Sequence, residues 1–218
     1  MTAITNADIG ARATATPVVA VKRRTIDTVV SGTGALVVVV LAVAGGLLTW
    51  GHNFASDYVR KELASQNIAF PDAATLQQQG RNDLVQYAGA KVDTGDEAQA
   101  YASFINGHLQ GIANGQTYAD LSAPERAAKA AVTDAKTAGA PADQIAQLQA
   151  KADGVTAQRT SLFQGETLRG LLLTAFAWAT VGKIAGIAAI VAFVAAALMT
   201  ILVALGMRHH HKVVAGAR

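Results

Sequence analysis

The chain has 218 residues, with 18 Lys+Arg against 15 Asp+Glu, a formal net charge of +3, 51% apolar residues and only 15% charged ones. A typical soluble domain carries about 25% charge, and the deficit here is local: residues 28–56 hold no charged side chain over 29 positions, and residues 170–207 hold only Lys183. This excludes a large enzyme, a soluble nucleic-acid binder and a disulfide scaffold, and the absence of cysteine excludes thiol catalysis and Cys-based zinc sites as well.

Each charge-free stretch is long enough to cross a hydrocarbon core of about 30 Å, which takes about 20 helical residues. The fold class that follows is all-α, with two transmembrane helices flanking a small extracytoplasmic helical domain. A basic tail occupies 1–30. Residues 1–25 are rich in Thr, Ala and Val without periodicity and are interrupted by Pro17, which predicts disorder. Transmembrane helix 1 is expected over 33–50, ending at Trp50, an aromatic at interface depth. Its basic flank also has the form of a signal peptide, and Arg23-Arg24 that of a twin-arginine one. No clean small-x-small site follows the apolar run, and Asp27 is out of place in such a signal, so an uncleaved anchor is expected. Phe54, Tyr58 and Leu63 continue at near-helical spacing beside Arg60, Lys61 and Glu62, which predicts a stalk helix to Ser65, ended by Pro71.

The domain is assigned to 51–170, stalk included. A short turn of helix is expected at Leu84–Ala88 before Gly89. Thr94-Gly95-Asp96-Glu97 has the form of a capping box, and Ala98, Tyr101, Ala102, Ile105, His108, Leu109 and Ile112 then recur every three or four residues. Asn114-Gly115 stops that helix. Ser122-Ala123-Pro124-Glu125 reads as a second capping box, launching an Ala-rich helix to Thr137, which Gly139-Ala140-Pro141 breaks. Apolar positions 145, 148, 152, 155 and 162 have an interrupted seven-residue spacing, as in a helical hairpin or weak coiled coil, with Gly154 as the interruption.

The long transmembrane helix 2 is placed at 171–207. Residues 171–205 alone would make about 52 Å of helix, more than one bilayer crossing. Its charge-free core is 184–207, so 171–182 is expected to emerge through the outer interface and pack on the stalk, with Lys183 snorkelling outward. A basic tail, 208–218, follows. Topology comes from charge: the two ends carry seven basic and two acidic residues, net +5, whereas 51–183 carries 11 basic and 13 acidic, net −2. Basic ends stay in the cytoplasm, where they also attract anionic lipid headgroups. This accounts for the basic balance without nucleic acid as a partner. The partners expected are the lipid bilayer, anionic headgroups on the cytoplasmic face, and another membrane protein or a second copy.

Chemistry-bearing residues are sparse. An open iron or zinc site needs two His and an acid, but His52 and His108 stand 56 residues apart and no HxxxH, HExxH or His-x-His spacing occurs outside the ends. Both are expected to be hydrogen-bonded core or interfacial histidines. His209-His210-His211 has weak metal-binding potential and is read as a polar stop at headgroup level. No G-x-S-x-G, S-x-x-K or P-loop pattern is present. Glu166 and Arg169 stand at i and i+3 just before the long span, as either a buried lock or a solvated surface pair. No catalytic residue, metal ligand, cofactor or enzyme activity is predicted. The positive signal is helix pairing: Gly182, Gly186, Ala188, Ala192 and Ala196 place small residues along helix 2, and Ala42 and Gly46, with Gly34, give a partial ladder on helix 1.

Residues 163–182, Gly45-Gly-Leu-Leu-Thr-Trp50, Val85-Gln-Tyr-Ala-Gly89, Ala98-Gln-Ala-Tyr101 through His108, and Gly115-Gln-Thr-Tyr118 together resemble a family of uncharacterised actinobacterial two-span membrane proteins. The resemblance covers most of 45–190 and implies a plasma-membrane location in a high-GC Gram-positive bacterium. Members are sometimes labelled aromatic ring-opening dioxygenases; the ligand set that such iron chemistry needs is not in this chain. The functional expectation is a non-enzymatic membrane protein with an accessory, scaffold or interaction role. The alternative is a membrane sensor or signalling adaptor.

Overall fold

A computed structural model describes residues 23–215, with side chains for 25, 26 and 28–208. Expectations for residues 1–22 and for the side chains of Lys22, Arg23, Arg24, His209, His210, His211, Lys212 and Arg218 lie outside the described residues; residues 23–25, expected to be disordered, instead form the first turn of a helix. Every described element is helical: α1 (Arg23–Ser65), α2 (Ala73–Gln78), a 3₁₀ turn (Asn82–Tyr87), α3 (Gly95–Ile112), α4 (Ser122–Thr137) and α5 (Ala142–Ala215). Among the described residues extended pairing is limited to one antiparallel bridge, Ala69 to Lys91. Two of these helices, α1 and α5, are long and apolar enough to cross a membrane.

The described residues divide into two compact units, Ala44–Val191 and 23–43 with 192–215. In the larger unit the local signals act as their chemistry dictates. Thr94 Oγ1 accepts from Glu97 N, while Glu97 Oε2 accepts from Thr94 N at 2.9 Å and Asp93 N at 3.0 Å, a complete capping box that starts α3. Gly139 ends α4 at φ +66°, with Ala140 N donating to Ala135 O and Gly139 N to Lys136 O, the two bonds of a Schellman motif.

The second capping box does not form. Leu121, not Ser122, caps α4, and it makes no side-chain cap bond. The chain is already turning there, because Leu121 N donates to Thr117 O and Ser122 N to Ala119 O. Glu125 is drawn instead to cations on α4 and α5. Gly154 does not interrupt α5 either. A lone glycine costs a helix about 1 kcal/mol relative to Ala, less than the neighbouring seam restores: Ala152 and Leu162 are buried, and Ile145, Leu148 and Val155 are half-buried.

The main core joins both long helices to the elements between them. Val59 and Leu63 of α1 and Leu172 of α5 cluster with Phe70, Leu76, Leu84, Val92 and the α3 residues Ala98, Ala102 and Phe104. Phe70 stacks on Tyr87 and meets Tyr101 edge-on, with centroids 5.3 and 5.1 Å apart. A smaller cluster contains Leu109, Ala113, Leu121 and Leu162. Close backbone approach is built in: a Cβ at Gly95 would overlap that of Ala179, and one at Gly165 would overlap Leu109. In the other unit, Gly34 faces Val203, whose Cγ2 would lie 2.6 Å from an added Cβ.

Candidate functional site

Within the larger unit, α1 meets α5 at a notch made by Gly182 and Gly186. A Cβ at Gly182 would sit 3.1 Å from that of Ala55, and one at Gly186 only 2.9 Å from His52 Nδ1. The two missing side chains make room for the imidazole. Its Nδ1–H donates to the Gly182 carbonyl at 2.8 Å, which fixes the tautomer and leaves Nε2 as the free nitrogen. His52 is therefore an interhelical tether. Next to the notch, Lys183 Nζ donates to both carboxylate oxygens of Asp96 at 2.7 and 2.8 Å. Both side chains are well exposed, so the pair orients more than it stabilises, by about 0–1 kcal/mol.

The other small residues divide by face. Ala192 and Ala196 are buried and Ala188 is half-buried beside buried Ala189. On α1, Ala42 and Gly46 are exposed, and a Cβ at Gly46 would meet nothing within 4 Å. Gly45 is the buried residue instead. The inward face of α1 thus lies one residue before the Ala42–Gly46 ladder.

Above the notch the same two helices leave an apolar groove of about 400 Å³. Val59, Leu63, Leu172 and Ala175 form part of its lining, Tyr58 and Trp178 flank it, and Glu62 and Gln66 supply polar groups. Trp50, Phe54 and Tyr58 form an exposed ladder along α1, with successive ring centroids 5.6 and 6.1 Å apart.

A buried polar cluster pins α4 to α5. Glu125, only 7% exposed, accepts from Lys129 Nζ and Arg159 Nη1, each at 2.6 Å, and from Thr156 Oγ1 at 3.1 Å. The guanidinium of Arg159 also lies 4.1 Å over the Tyr118 ring. Hydrogen bonds from Lys129 and then Arg159 hold the Glu125 carboxyl down at about 2. Such a group is locked as a carboxylate near neutrality and serves as a brace rather than an acid or base. The sequence pattern places Glu125 in a capping box. The i,i+4 spacing to Lys129 was the available signal for the brace, whereas Thr156 and Arg159 lie 31 and 34 residues away and carry none.

The remaining candidates are plain. His108 is exposed rather than part of the core, because the adjacent Leu109 turns inward instead; its Nδ1–H donates to Phe104 O at 3.2 Å within its own helix, and the ring packs edge-on against Phe104. Arg169 bonds Glu166 at 2.7 Å with both side chains partly exposed, the solvated-pair arrangement. Among the described residues no three His, Asp or Glu side chains gather where they could hold a metal ion. No protein-family model matches the chain, and comparison with curated proteins and with solved structures finds no match either.

Proposed function

We propose that this is a non-enzymatic integral plasma-membrane protein, with both termini cytoplasmic, which presents the helical domain between its spans outside the cytoplasm in an accessory, scaffold or interaction role. One observation carries the membrane reading. Of the most apolar windows of α1 and α5, only 6% and 17% is buried within the protein. The core helix of a soluble protein hides such a surface. Here Val39, Val40, Val43 and Leu47 on α1 and Ile187, Ile190, Val191 and Leu198 on α5 are each more than half exposed, and hydrocarbon is the solvent that suits them. The orientation rests on the net +5 of the ends against −2 between the spans. The family resemblance supports the same location.

Because the chain has no cysteine, single cysteines report topology cleanly. A membrane-impermeant thiol reagent on intact cells should label Gln116→Cys and spare Ala15→Cys and Val213→Cys. Labelling at 15 with protection at 116 would refute the orientation. Labelling at all three sites on intact cells would refute the membrane reading.

The sensor or adaptor reading is favoured by one feature: Val59 and Leu63 of α1 share a core with Leu172 of α5. A ligand that repacked that core would act on both spanning helices together. Protection of the domain by a specific small molecule, without a stable protein partner in detergent, would favour this reading over the scaffold one.

A further inference from the structure

The apolar surface of α5 does not stop at Lys183. Leu171, Trp178 and Val181 stay exposed beyond it, and from Leu171 to Gly182 the helix rises about 16 Å. The polar interfacial layer of a bilayer is only about 5–8 Å deep on each side. On the membrane reading, on which this inference rests, the groove flanked by Tyr58 and Trp178 therefore reaches above the headgroups. Water should not face it empty.

We infer that the groove holds one hydrocarbon chain of a membrane lipid lifted part-way out of the bilayer, with the lipid's polar end at Glu62 and Gln66. Three features select this occupant. The volume, about 400 Å³, lies in the range of small-molecule sites, about 300–1,000 Å³. The lining is aliphatic and aromatic apart from Thr174, Glu62 and Gln66, so it offers little to fix the register of a peptide backbone. A second depression, lined by Ala177, Trp178 and Val181, adjoins the groove through Thr174 and Trp178. It leads down α5 toward the charge-free run that begins at Ile184. The track is continuous with the lipid-facing surface, as an entering chain requires.

Trp50 and Trp178 are the two tryptophans, which supplies the assay. The full-length Trp50→Phe protein, with Trp178 as its reporter, is reconstituted into phosphatidylcholine vesicles with and without mid-chain bromine. Trp178 stands about 8 Å above Lys183, at the outer edge of the headgroup layer, out of contact with bromine near the bilayer centre, so strong loss of Trp178 fluorescence is the expected result. Thr174→Phe, which fills the groove, and Leu171→Arg, which charges its lining, should each restore fluorescence. Both positions are exposed, and unchanged helicity by circular dichroism checks that the fold is kept. Absence of mid-chain quenching, or quenching that neither substitution relieves, would overturn the proposal. So would disulfide linkage between two Leu171→Cys chains in vesicles, which would put a second copy in the groove. The Trp178→Phe protein is the control: Trp50 should be quenched by lipid brominated near the headgroup. If no brominated lipid quenches Trp50, the membrane reading itself fails, and the lipid site with it.

Discussion

Excising residues 67–160 should leave a segment that cannot hold its own fold. The cut removes Val59, Leu63 and Leu172 from the main core and Leu162 from the smaller one, all at most 6% exposed in the intact chain. Full burial of such a side chain is worth about 1.5–3 kcal/mol, so the four together represent roughly 6–12 kcal/mol. A segment of this length, at 0.05–0.15 kcal/mol per residue, has a total stability of only about 5–14 kcal/mol. The loss is as large as the reserve. Circular dichroism of the fragment should show partial helix and a broad thermal transition, while a fragment of residues 53–182 should regain a cooperative one. In the full chain, Leu172→Ala alone should cost about 2–5 kcal/mol. A cooperative melt of 67–160 above about 60 °C, within the upper range of mesophilic domains, would refute the reasoning.

The Glu125 brace gives a pH dependence with a defined sign. Its carboxyl sits at about 2 in the fold against 4.5 for the free group, so its contribution is complete above about pH 4.5 and is lost as pH falls toward 2. Melting temperature in detergent should drop through that window, and Glu125→Gln should melt lower than the parent at pH 7, with the gap closing on acidification; a gap that stayed constant would refute it. Ala192→Leu places a large side chain at a buried position and should cost about 1–3 kcal/mol, whereas Val191→Leu, 62% exposed, should do little. Cross-linking between Gly34→Cys and Val203→Cys, which face each other, is the readout, and equal effects would disprove the assigned face. Gly95→Val would collide with Ala179 and should lower the melting temperature, whereas Gly111→Ala, with open space around it, should raise or preserve it; the reverse order would refute the close approach.

Local punctuation was the most legible part of the sequence. Thr94 and Glu97, the Gly139 stop and the continuation of helix to Ser65 each act through groups within a few residues of one another, and all stand in the structure as the residue pattern predicts. The inward face of α1 was not legible, because Gly45 and Gly46 are equally small and an apolar helix has no polar side to mark its phase. Packing against a partner chooses between them. The ion pair from Lys183 to Asp96 and the brace from Arg159 to Glu125 span 87 and 34 residues; no spacing rule reaches that far. Ser122 misled for a related reason. Its motif was sound, but the carboxylate it needed was more strongly claimed by two cations.

The sharing of one core by α1 and α5 also sets a timetable. During synthesis, Val59 through Phe104 emerge first, and Leu172 follows 68 positions later. At about 5–20 residues per second, the main core waits roughly 3–14 s for its last member. Until then the cluster lacks one of its buried members, and an incomplete core exposes apolar surface that favours wrong association. The stretch from α3 to α5 thus acts as a delay line. Shortening it would let the core close sooner, and a pause in translation before Leu172 would prolong the vulnerable interval.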